Sequence, residues 1–128
     1  MNNTQFTGVC LITSNVPRLR HFYEQVLLVR GEGEERHVAI EIPGANLTIF
    51  SRNGMEEMAP GSMQEAGTGC FTLEFGVDDV DQEVKRLAEM GVPLVKPALT
   101  YPWGRRSAWF RDPDGNIVNL YSVVDTTA

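Results

Sequence analysis

The chain has 128 residues, 42% hydrophobic and 22% charged, which is the make-up of an ordinary globular protein able to bury one real core. Its net charge is −6, from 11 basic and 17 acidic residues, and no basic patch stands out, which argues against a nucleic-acid partner. No apolar run approaches the ~18 residues of a membrane span, and "MNNTQFTG" lacks the basic stretch and apolar core of a secretory signal, so the expected location is the cytosol.

In chain order, "FTGVCLIT" (6–13) reads as a short apolar strand. "SNVPRLRHFYEQVL" reads as a helix, capped by Asn15, with Pro17 in the first turn and Val16, Leu19, Phe22, Tyr23 and Val26 at helical spacing. "HVAIEI" and "NLTIFS" read as two strands around a turn at Pro43 and Gly44. Residues 53–68 have no periodicity and read as a connector. It is long enough to double as a lid, and its Met55, Met58 and Met63 suit loop anchoring or contact with a greasy ligand.

The pattern then restarts. "CFTLEFGV" is a strand, and "DDVDQEVKRLAEMG" is a helix capped by Asp79 and ended by Gly91. "VPLVKPALTYPWG", "RRSAWF", a DPDG turn and "NIVNLYSVV" follow. The two halves superpose. Val16 falls on Val80 at an offset of 64, and "LTIFS" falls on "VNLYS" at an offset of 71. This predicts a single domain over 1–128, built from module 1 (about 5–52), the connector (53–68) and module 2 (about 69–124). Each module is strand–helix–strand–strand–strand. The two cysteines, Cys10 and Cys70, form no CxxC and no Cys/His cluster, so they read as free thiols rather than a bridge or a zinc site.

The "FY" in the first helix, the "VDDVD" helix start and "PWG…FRDPDGN" before the last strand, in this order and spacing, resemble the vicinal oxygen chelate superfamily, also called glyoxalase/bleomycin resistance/extradiol dioxygenase. The resemblance covers about residues 5–124. It implies an α+β fold in which two βαβββ modules form a U-shaped sheet around a cavity, in a protein that is most often a homodimer. In the enzymes of the superfamily, four inward positions usually carry His, Glu or Gln and hold one divalent metal. Those positions fall here on Gly8, Thr48, Thr72 and Asn119, and the internal repeat relates Gly8 to Thr72 and Thr48 to Asn119. A glycine, two hydroxyls and a neutral amide are poor ligands for a dication, so no metal and no other cofactor is expected. His21 and His37 read as ordinary surface or partly buried histidines.

Strand alternation then turns Cys10, Phe50, Glu74 and Tyr121 toward the cavity, and Val9, Leu11, Leu73, Phe75, Val118 and Leu120 toward the helices. Glu74, flanked by Leu73 and Phe75, reads as a half-buried carboxylate. It suits a cationic ligand, a general-base role, or an ion pair with Arg105 or Arg106. Cys10 reads as a buried thiol with no histidine to activate it. Trp103, Trp109, Tyr101, Tyr121 and Phe50 supply flat surface for planar, amphipathic or cationic ligands. The candidate ligand-binding set is Cys10, Thr48, Phe50, Thr72, Glu74, Trp103, Trp109, Asn119 and Tyr121, with Glu74 the one catalytic candidate.

Three functions compete. The first is a metal-independent small-molecule binding protein of the bleomycin-resistance kind, sequestering a toxic or antibiotic compound. The second is a lyase, isomerase or dioxygenase-like enzyme with Glu74 as base. The third is a partner-binding module without catalysis.

Overall fold

The computed structural model describes residues 5–67 and 70–124. The chain divides between Ala66 and Gly67 into two compact units of the same α+β plan. In the first, strand β1 (Gly8–Thr13) leads into helix α1 (Val16–Leu27), followed by β2 (Glu32–Gly33), β3 (His37–Ile40) and β4 (Asn46–Ser51). Its sheet order is β1-β4-β3-β2, with β1 and β4 parallel and the other pairs antiparallel. In the second, β5 (Thr72–Gly76) leads into α3 (Val80–Glu89), followed by β6 (Leu94–Tyr101), β7 (Arg105–Arg111) and β8 (Ile117–Val123), in the order β5-β8-β7-β6. Both units are therefore βαβββ, with the first strand inserted in parallel beside the last.

Each helix starts where its cap demands. The Asn15 carboxamide accepts the Arg18 N–H at 3.1 Å, and the Asp79 carboxylate accepts the Gln82 N–H at 3.2 Å. Gly91 takes a positive φ of 77° just after α3 and ends it. At the end of α1 the left-handed position falls to Leu28, at φ 55°. The apolar stripe of α1 (Val16, Leu19, Tyr23, Val26) is buried with Leu11, Val38 and Ile49 in the first core. Val80 and Leu87 of α3 are buried with Leu73, Phe110, Val118 and Leu120 in the second. Val9 and Phe75 are only half-buried, at the margin of these cores.

Part of the connector is more ordered than its composition predicts. Arg52–Met58 form a helix, α2, because Ser51 at the end of β4 turns its hydroxyl to accept the Gly54 N–H at 2.9 Å. The turns after it are tied down by Glu56, whose carboxylate accepts the N–H groups of Gly61 and Met63 at 2.7 and 2.9 Å. These bonds hold the Glu56 carboxyl below its usual range. Met58 is exposed, while Met55 and Met63 are half-buried. Thr68, the last residue of the predicted connector, and Gly69, where the second module is predicted to begin, lie outside the described residues.

The DPDG motif is structural. Asp112 is buried between β7 and β8, and its carboxylate accepts the N–H of Asp114, the N–H of Asn116 and the Asn116 side-chain amide, each at 2.9 Å.

Candidate functional site

The second unit carries the richer face. α3 packs on one side of its sheet, against β6, β7 and β8. Arg106 locks that side, with its guanidinium donating twice to Asp81 of α3, both at 2.9 Å, and once to Thr100 at 3.0 Å. The Arg106 guanidinium, bonded to the Asp81 carboxyl, holds it below its ordinary value. The neighbours of Arg106 along the strand, Arg105 and Ser107, point the other way, as does Trp109.

On that second side, register sets Glu74 beside Asn119 and Asn119 beside Trp109, and Trp109 faces Lys96 of β6. One row across four strands thus reads carboxylate, amide, indole, ammonium. The Asn119 amide donates to Glu74 Oε2 at 3.2 Å. Glu74 Oε1 faces Arg105 at 3.8 Å, and the Arg105 guanidinium lies over the Tyr121 ring, 3.9 Å from its centroid. The Lys96 ammonium lies over both Tyr101 and Trp109, at 4.1 and 4.6 Å. Trp103 stacks on Tyr101 with centroids 4.6 Å apart. Three buried polar atoms of this group have no hydrogen-bond partner among the described residues: Asn119 Oδ1, Trp109 Nε1 and the Tyr101 hydroxyl.

Several predicted site residues therefore meet here: Glu74, Trp109, Asn119 and Tyr121, with Trp103 at the margin and 71% exposed. Glu74 departs from its expected setting. Its side chain is 49% exposed and is not walled by its apolar neighbours, because Leu73 and Phe75 face the helix side and Thr72, also exposed, adds no cover. Of its two candidate partners it takes Arg105, since Arg106 belongs to Asp81. Lys96 is a member of the site that sequence does not identify. The register slips on both sides of it, so alternation cannot assign its face. The one signal for it is Pro97, which inside a strand marks an edge or a bulge.

In the first unit, Cys10 sits opposite Thr48, as Glu74 sits opposite Asn119, so the offsets of 64 and 71 hold in the register itself. Cys10 is exposed, not buried as expected. With Thr48, Gly8, Thr7, Val9 and Asn46 it lines a hollow of about 280 Å³. Phe50 is half-buried; a Cβ added at Gly54 of α2 would lie 2.6 Å from its ring. His21 is exposed on α1, and His37 sets its ring edge-on to Phe50 at 5.8 Å.

The divalent metal implied by the resemblance does not fit the residues at its four positions. A Cβ added at Gly8 would overlap the main-chain oxygen of Asn46 and lie 2.9 Å from its carbonyl carbon, so the close approach of β1 and β4 requires glycine there. Thr48 and Thr72 offer neutral hydroxyls. The Asn119 amide nitrogen is already donated to Glu74. Among the described residues, no three of His, Cys, Asp or Glu come together as a metal would need.

Among the described residues, no helix is long and apolar enough to cross a membrane. A curated relative, "Uncharacterized protein YraH" of Bacillus subtilis, is 31% identical over 97 residues, covering 73% of this chain and 76% of the relative. A glyoxalase/bleomycin resistance protein/dioxygenase family enzyme from Burkholderia phytofirmans superposes with a TM-score of 0.82 at 20% identity, over 92% of this chain and 98% of the other. Lactoylglutathione lyase from Agrobacterium tumefaciens does so with a TM-score of 0.75 at 19% identity, over 94% and 95%. At these identities the two structures speak for the fold alone. The sequence itself matches the family description over residues 5–120, and the chain belongs to the glyoxalase/bleomycin resistance protein/dioxygenase superfamily.

Proposed function

We propose that the protein is a cytosolic small-molecule binding protein that works without a metal and sequesters a toxic or antibiotic compound. It holds its ligand on the face of the second unit that carries Glu74, Trp109, Asn119 and Tyr121. The observation that carries this reading is Asn119, which is 7% exposed, with its amide nitrogen bonded to Glu74 and its Oδ1 left without a partner. A buried acceptor left unmet costs about 1–3 kcal/mol, and a ligand donor would remove that cost. The aromatic rings beside it supply flat contact area. In this reading Glu74 orients the amide rather than taking a proton, since its carboxylate accepts from Asn119 and faces Arg105. Cys10 and Cys70 carry thiols rather than a disulfide, which fits a reducing compartment. The reading includes a homodimer, supported by the exposed apolar side chains of Phe71, Val95 and Val123.

The test is native mass spectrometry with elemental analysis, on protein purified without chelator or added metal. The expected result is a dimer that retains a small organic molecule and holds no stoichiometric zinc, nickel, iron or manganese. Full occupancy by one of those metals would overturn the reading, and a monomer at micromolar concentration would remove the dimer from it.

A further inference from the structure

The ligand's chemical class follows from the charges and unmet groups on the same face, and its assignment rests on the binding function proposed for that face. Among the described residues three cations stand there: Lys96, set by its register opposite Trp109, and Arg105 and Arg111, set by alternation along β7. Among the described residues they face a single carboxylate, Glu74, in a chain whose overall charge is −6. Arg105 is matched to Glu74, and Arg111 donates to the Gly115 carbonyl at 3.0 Å. Lys96 has no carboxylate within ion-pair distance among the described residues.

The aromatic faces are already occupied from within. Lys96 covers Tyr101 and Trp109, and Arg105 covers Tyr121. A cationic ligand would have to displace the chain's own cations from these rings, and would meet two like charges while doing so. The unmet groups beside Lys96 are the Trp109 indole N–H, a pure donor, and the Tyr101 hydroxyl. The unmet acceptor, Asn119 Oδ1, lies two strands from Lys96, or about 10 Å at ordinary strand spacing. One unpaired ammonium beside two donors matches a monoanion, and the separate acceptor matches a hydroxyl or N–H at the ligand's far end.

We infer that this face selects a planar organic carboxylate carrying a hydroxyl or N–H away from its charge. Lys96 is the counter-ion, Trp109 Nε1 and the Tyr101 hydroxyl donate to the carboxylate, and Asn119 Oδ1 accepts from the far group. The register slips on either side of Lys96 give the arrangement its cause, because a bulge re-aims the side chain that it carries.

The test is a titration of ¹⁵N-labelled protein with 4-hydroxybenzoate, its neutral isostere 4-hydroxybenzamide and the cation 4-hydroxybenzylamine, followed by NMR. Trp103 and Trp109 are the chain's two tryptophans, so two indole N–H signals report directly. The expected result is saturable binding of the benzoate, with the Trp109 indole signal moving downfield and that of Trp103 moving little. The benzamide binds at least fivefold more weakly. Lys96→Met lowers benzoate affinity about tenfold, the loss of one charge-assisted hydrogen bond. Lys96→Arg, which keeps the charge, stays within about threefold.

Equal or tighter binding of the benzamide or the benzylamine overturns the anion assignment and leaves the binding reading standing. A neutral or cationic compound retained in native mass spectrometry does the same. Failure of all three probes to bind, with no compound retained, overturns both.

Discussion

Asn119 illustrates how much one neutral atom decides. As an amide it donates to Glu74 across the β5–β8 pair; as a carboxylate it would place a second negative charge beside the first, at a site only 7% exposed. Asn119→Asp is therefore expected to lower stability by about 2 kcal/mol at pH 7, read as a shift in the urea midpoint. Adding Glu74→Gln should recover part of that loss. An unshifted midpoint in the single variant would mean that the Asn119–Glu74 contact does not form. Alternation alone places both residues on one face. It does not reveal that they are each other's partners, because hydrogen-bond pairing depends on register and rotamer, which a one-dimensional pattern does not contain.

At the scale of elements, the signals with a local cause are legible. Asn15 and Asp79 start their helices as their types dictate, and the DPDG turn closes on Asp112. α2 is not, because its cause, the Ser51 hydroxyl, lies in the preceding strand and the helix itself has no amphipathic period. β2, two exposed residues long, is held by its pairing with β3 and carries no apolar pattern to read. Leu28 is a local conflict. It closes α1 in the left-handed region, where a side chain costs about 1–2 kcal/mol, and it is 71% exposed, so little burial compensates. Leu28→Gly should raise stability by about 0.5–1 kcal/mol despite removing a large apolar side chain. Thermal denaturation checks the sign, and a fall in midpoint would show that Leu28 is held by packing instead.

At the scale of the whole molecule, acid is the natural stress. Glu24 is held below its ordinary value of 4.5, first by the Gly31 N–H and then by Arg20. Glu56 and Asp81 are lowered as well. A carboxyl whose folded pKa lies below its unfolded one adds stability above the unfolded value and loses it as pH falls toward the folded one. The melting temperature should therefore hold near pH 6 and fall once pH drops through about 4.5. Glu24→Gln should flatten that fall, and an unchanged slope would remove Glu24 from the account. The duplicated plan is legible because a repeat needs only offsets; which charges cover which rings is not, because a bulge at Lys96 breaks the period that would have revealed it.

Gly8 limits what its strand can carry as well as how it packs. Any residue but glycine there must push β1 away from the Asn46 carbonyl and so loosen the parallel pair at one edge of its sheet. An imidazole at this position would bring the same damage. One backbone contact thus keeps any metal-binding side chain out of this position.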